Sequence, residues 1–165
     1  HGYEVFTLDE GLSFEGAGDL LGFPDACFGG YRQRSDIRAY VRLSEIYQRE
    51  FIPLELVDSR FYHLDTCFCP LSSGELLYYP PAFDPYAQAV ITDRLSPTRR
   101  LIVPEHDALR FACNAVCLGK QVVLPDGCDE TMALLRARGY EPHPVELDEF
   151  MKAGGSAKCL TLALD

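Results

Sequence analysis

Apolar positions along this chain fall into two alternating rhythms, and together they predict one supersecondary unit used three times. Each unit opens with two short apolar runs, continues at the spacing of a helix face and closes on a further apolar run. In the first unit, residues 12–57, segments 14–21 and 26–31 read as strands joined by Gly22-Phe23-Pro24-Asp25. Ser35 is placed to cap a helix whose buried stripe is Ile37, Tyr40, Val41, Ile46 and Tyr47. Pro53 follows the helix and leads into a strand over 54–57. In the second unit, residues 61–103, strands over 62–71 and 75–79 flank Ser72-Ser73-Gly74. Asp84-Pro85 starts a helix with Ala87, Val90, Ile91 and Leu95 inside. Pro97 stops it before a strand over 101–103.

The third unit, residues 109–147, repeats the pattern. Strands over 111–118 and 121–124 flank Gly119-Lys120, a helix over 128–138 buries Met132, Leu134 and Leu135, and Gly139 is its C-cap. A strand over 144–147 closes the unit, and 157–164 reads as the first strand of another. The recurrence, roughly 45 residues, predicts an α+β chain of repeated ββαβ units. No linker, charge block or low-complexity stretch interrupts residues 1–165, so a single domain is expected.

Composition narrows the function classes. The net charge of -10, with no local basic patch, argues against nucleic acid and anionic membrane surfaces as partners. No apolar run approaches the roughly 20 residues that span a bilayer. Seven cysteines, an odd number set mostly in apolar runs, do not form a disulfide framework, so a reducing cytoplasm is the expected location. Neither Cys67-Phe68-Cys69 nor Cys113 with Cys117 has zinc-knuckle spacing, and no metal site is expected.

Four segments carry candidate chemistry. Phe14-Glu15-Gly16-Ala17-Gly18-Asp19 brackets small residues with two carboxylates, which suits close approach of a ligand or simply a tight turn. His63-Leu64-Asp65 lies in an apolar run, where strand alternation would turn His63 and Asp65 to one face, as a site or as a structural pair. Gly154-Gly155-Ser156-Ala157-Lys158-Cys159 leads a glycine pair into a cysteine, with backbone amides, Lys152 and Lys158 placed to lower the thiol pKa. Arg32 and Arg34, ahead of a helix, could grip a carboxylate or sit in solvent. Together they supply a nucleophile, an acid/base and carboxylates. An acid-rich pocket does not suit acyl transfer, whose oxyanion needs donors, but it suits a cationic electrophile such as a guanidinium.

The first three of those segments, the second extended to Thr66, together with Ala112-Cys113-Asn114, resemble the guanidino-group-modifying superfamily of pentein fold, which includes arginine deiminase, dimethylarginine dimethylaminohydrolase and glycine amidinotransferase. The resemblance covers nearly the whole chain. It implies Cys159 as covalent nucleophile, His63 as general acid/base, Glu15 as the carboxylate that orients the histidine or contacts substrate, Asp65 as the acid that binds guanidinium nitrogens, and Arg34 as the grip on a substrate carboxylate. Asp19 is implied to be structural. Asp65 favours deiminases and amidinotransferases over dimethylarginine hydrolases.

The family fold is an α/β propeller of five ββαβ units. About three are visible here, so the chain is expected to be the C-terminal part of a longer protein. The implied activity is cysteine attack on an arginine-like substrate through a thiouronium-type intermediate, ending in hydrolysis or amidino transfer, with no metal or organic cofactor. The expected partners are a small guanidino compound and either further copies of the chain or the missing units of the full-length protein. Two other readings stay open: a catalytically incomplete binding or assembly module for arginine-like ligands, and an amide hydrolase, against which Glu15 and Asp65 argue.

Overall fold

The computed structural model describes residues 2, 4–24 and 26–162. It contains three three-stranded sheets, each built from one sequence unit. The first sheet joins β1 (Leu20–Gly22), β2 (Cys27–Tyr31) and β3 (Phe51–Glu55) in that order. The second joins β4 (Phe68–Pro70), β5 (Leu76–Tyr78) and β6 (Arg100–Ile102), and the third joins β7 (Val116–Leu118), β8 (Gln121–Pro125) and β9 (Glu141–Val145). In every sheet the first pair is antiparallel and the second parallel. A hairpin can close the antiparallel pair, whereas the parallel pair needs a crossover. Helices α2 (Ile37–Tyr47), α3 (Pro85–Arg94) and α5 (Asp129–Ala137) supply the crossovers. The chain is therefore mixed α+β with three ββαβ units.

The units share one apolar core. Phe28 of the first packs on Phe68 of the second at 5.2 Å between ring centroids, with Phe23 and Phe83 alongside. Leu54, Leu56, Leu64, Leu76, Leu77 and Leu124 are fully buried. Units two and three are tied by Tyr140, whose hydroxyl donates to Glu75 at 2.9 Å, and by the Arg138–Glu75 ion pair.

Proline is tolerated inside β3 and β9, at Pro53, Pro142 and Pro144, because both are edge strands and a missing N–H need not break a ladder bond. The expected strand starts at 54 and 144 therefore fall too late. Strands were also read too long wherever an apolar run enters a unit. Residues 14–21 hold a helical turn, α1 (Gly16–Asp19), before β1. Residues 62–71 hold a 3₁₀ turn, Leu64–Thr66, before β4, and 111–118 become strand only at Val116.

The physical reason is common to all three. A buried polar group at each entry takes hydrogen bonds that a strand could not offer. Asp19 accepts from Leu64 N at 3.0 Å, and Asp107 of helix α4 (Glu105–Leu109) accepts from Thr131 N at 2.7 Å. Asp107 thereby caps α5 from another element, since the adjoining Cys128 makes no side-chain cap bond. Neither α4 nor α6 (Asp148–Met151) has a sequence signal strong enough to stand out; both are under two turns long.

The expected cap at Ser35 is displaced by one residue. Asp36 caps α2 by accepting from Arg38 N at 2.8 Å, while the Ser35 hydroxyl is buried and donates to Asp19 at 2.7 Å. The expected strand over 157–164 is instead a 3₁₀ turn, Lys158–Leu160, followed by irregular chain to Leu162; positions 163 and 164 lie outside the described residues. Among the described residues no helix is long and apolar enough to cross a membrane.

Candidate active site

The site forms where the entries of the three units meet. Glu15 stands at the N-terminus of α1, and its carboxylate bonds the imidazole of His63, Oε2 to Nε2, at 2.7 Å. The contact needs a residue without a side chain beneath the ring, because a Cβ on Gly18 would sit 2.7 Å from His63 Nδ1. Arg34 reaches the other Glu15 oxygen at 3.4 Å and lies over the Tyr62 ring at 5.3 Å. These bonds, His63 foremost, hold the Glu15 carboxyl below its ordinary pKa.

Asp65 and Cys159 form the second half. The thiol of Cys159 lies 3.9 Å from Asp65 Oδ2, in the range of a sulfur hydrogen bond. Asp65 is buried, and its Oδ1 has no hydrogen-bond partner among the described residues. Burial pushes the Asp65 carboxyl up to about 6 despite the neighbouring His63 and Lys158 charges. The Cys159 thiol is also raised, first by the partial burial of its sulfur and then by the Asp65 charge, while the Asn114 side chain and the Ser156 amide pull it partly back. The lysines thus do not lower the thiol pKa as expected. Lys152 is paired with Glu149 at 2.6 Å, and Lys158 counts mainly in the field at Asp65.

His63 and Asp65 meet the site for a different reason than strand alternation. The 3₁₀ turn that begins after His63 buries Asp65 beside the thiol and leaves His63 half-buried beside Glu15. The glycine pair before Cys159 is required by shape. Gly154 has φ of +91°, and a Cβ on Gly155 would meet Cys159 Cβ at 2.9 Å. Glu15 with His63, and Asp65 with Cys159, are in direct contact; Arg34 joins the first pair. Tyr62 connects the halves. Its ring lies 4.8 Å from the His63 ring and its hydroxyl donates to the Gly154 carbonyl.

Two residues of the site escaped the sequence reading. Tyr62 precedes His63 and was placed only as the first position of the strand over 62–71. Asn114 belongs to one of the resembling segments yet had no assigned role, although a buried amide in an apolar run is a signal by itself. A cavity of about 430 Å³ opens beside Asp65 and Lys158 over an apolar floor that includes Phe68, Cys113 and Val116; Glu15, His63 and Cys159 do not line it. Among the described residues no group of three or more His, Cys, Asp or Glu is placed to hold a metal.

No family model matches the chain. Whole-sequence comparison does find relatives. The chain is similar to the bifunctional arginine dihydrolase/ornithine cyclodeaminase ArgZ of Synechocystis sp., 45% identical over 164 residues that cover 98% of this chain and 23% of ArgZ. It is 43% identical over 150 residues to the N(G),N(G)-dimethylarginine dimethylaminohydrolase of Mycobacterium tuberculosis, covering 91% of this chain and 49% of that enzyme.

The crystal structure of the N-terminal domain of ArgZ bound to its substrate superposes with a TM-score of 0.93 at 45% identity, over 98% of this chain and 60% of that one. An amidinotransferase of the saxitoxin pathway of Microseira wollei shares the fold at a TM-score of 0.72 and 18% identity, over 88% of this chain and 46% of that one. The chain belongs to the guanidino-group-modifying, pentein superfamily. It spans about a quarter of the bifunctional relatives and about half of the mycobacterial enzyme.

Proposed function

We propose that this chain carries the thiol half of a guanidino hydrolase acting on arginine or a close analogue. One observation bears most of the weight: a buried carboxylate, Asp65, with one oxygen beside the Cys159 thiol and the other without a hydrogen-bond partner among the described residues. Burying such a charge is costly unless a cation joins it. A planar guanidinium offers paired N–H donors to a carboxylate and puts an electrophilic carbon within reach of the sulfur.

The charge balance gives an order of events. Before ligand binds, burial and Asp65 hold the Cys159 proton in place. A guanidinium against Asp65 offsets that field, so once substrate is present the thiol gives its proton to His63 and the thiolate forms. Sulfur then attacks the guanidinium carbon, and His63, oriented by Glu15, gives a proton to the departing ammonia. Water, deprotonated by His63, attacks the resulting thiouronium carbon; the C–S bond breaks, thiolate leaves and a ureido product is released. Arg34, beside Tyr62 and Glu15, would receive the substrate carboxylate.

In this reading the three sheets are consecutive blades of a five-unit α/β propeller, residues 1–165 form one partial domain, and the remaining blades come from elsewhere in the full-length protein. A reducing cytoplasm fits seven free cysteines. The relatives above 40% identity bear the names of hydrolases, which favours hydrolysis over transfer to an amine acceptor. The test is turnover of L-arginine by the full-length protein, followed as ammonia release. Wild type should release ammonia and Cys159→Ser should not; full activity in Cys159→Ser would end the proposal.

A further inference from the structure

We propose that Asn114 is a positioning residue: its side-chain amide locks the loop that carries Cys159 onto the loop that carries Asp65 and so sets the thiol against the carboxylate. The inference rests on the functional reading above and adds a residue to it.

Asn114 is fully buried. Its Oδ1 accepts from two backbone amides of the nucleophile loop, Ser156 N at 2.9 Å and Cys159 N at 3.2 Å. Its Nδ2 donates to the backbone carbonyl of Asp65 at 3.2 Å. The Asn114 carbonyl also accepts from Lys158 N at 3.0 Å. A single amide plane therefore spans both loops, and the backbone leading into the sulfur-bearing residue is held at Ser156, Lys158 and Cys159.

The chain makes a particular effort to deliver this side chain. After α4 it reverses in a Schellman motif, with Phe111 N bonded to Ala108 O at 2.9 Å and Ala112 N to Asp107 O at 3.1 Å. The left-handed residue of that motif is normally glycine; here it is Phe111, at φ +59°. Asn114 N then bonds Phe111 O at 2.9 Å, which places the amide under both loops.

No other residue type makes the same three bonds. Asp keeps the acceptor but loses the donor to Asp65 and brings a second carboxylate toward the thiol. Gln keeps the chemistry and moves it by one methylene. Leu keeps the volume and leaves all three backbone groups unpaired.

The experiment titrates the Cys159 thiol in the full-length protein by its rate of alkylation with neutral iodoacetamide against pH, for wild type, Asn114→Asp and Asn114→Ser. Folding is checked by circular dichroism, and kcat and KM for arginine are measured alongside. Folded Asn114→Asp should show an alkylation midpoint raised by about one pH unit. Its kcat should fall about 100-fold, as for a reacting atom moved out of register, with KM changed far less. Asn114→Ser, which can still bond an amide, should recover part of both. An alkylation profile unchanged in both variants overturns the proposal. So does a fall in kcat explained by loss of folded protein alone. If Asn114→Asp does not fold, Asn114→Ser decides by the same two readings. Alkylation needs no turnover, so a wild type inactive on arginine would sink the proposed function and still leave the role of Asn114 decidable.

Discussion

Glu15 and Asp65 are carboxylates of one site under opposite electrostatics. Glu15 is exposed and already bound by His63 and Arg34, and its proton comes off more readily than usual. Asp65 is buried with one oxygen unpartnered among the described residues, and its proton is held up to about 6. The first is satisfied by the protein alone. The second is left short of a partner, which is the condition of a group meant to meet a cation, and such perturbed groups gather where ligands bind. On the proposed function, the site divides into a half that is finished before substrate arrives and a half that substrate completes.

Substitutions on the two sides should separate them. The largest effect belongs to Cys159→Ser, which should lower arginine turnover by about 10⁴-fold or more, read by ammonia release. Asp65→Asn comes next and should act in opposite senses on function and stability. Turnover should be lost, while the fold should gain up to about 3 kcal/mol at pH 7, because a shift from 3.8 to about 6 is roughly two units at about 1.4 kcal/mol each. Between those two values the folded chain holds a proton that the unfolded chain has released, so wild-type stability falls as pH rises through that window. Urea melts at pH 4 and pH 7 should show this slope in wild type and its loss in Asp65→Asn.

Glu15→Gln should cost about 10 to 100-fold in kcat with little change in stability, since an exposed pair stabilises a fold weakly. A stability loss as large as that of a core substitution would place Glu15 in the wrong half. The smallest effect should come from Asp107→Asn, which weakens the remote cap on α5 and should lower stability by about 1 kcal/mol without touching turnover.

The three-unit architecture was legible because strand runs, helix stripes and turn residues repeat in the same order, and each sheet forms within one expected unit although several strand bounds shift. The entry of each unit was not legible. Residues 14–19, 62–67 and 109–115 are apolar enough to read as strand, but buried Asp19, Asp65, Asp107 and Asn114 draw the backbone into turns through bonds to distant residues. Local pattern cannot register a partner 45 or 49 positions away. Chemical identity at the site was easier to read than geometry: Glu15, His63, Asp65 and Cys159 stood out as residue types, whereas the turn that presents His63 and Asp65 was mistaken for a strand. Tyr62 stayed hidden because its hydroxyl and ring do work that resembles ordinary packing.

On the proposed mechanism Asp65 prepares the Cys159 thiol for a cationic carbon. Peptide mapping after timed labelling with cationic 2-chloroacetamidine and with neutral iodoacetamide tests it directly in the full-length protein. Cys159 is exposed, Cys117 partly so, and the other five cysteines are buried. The amidine should mark Cys159 first, faster than the neutral reagent does, and Asp65→Asn should erase this preference. Slow and even labelling of the cysteines, or a preference for the cation that survives in Asp65→Asn, would contradict that role of Asp65.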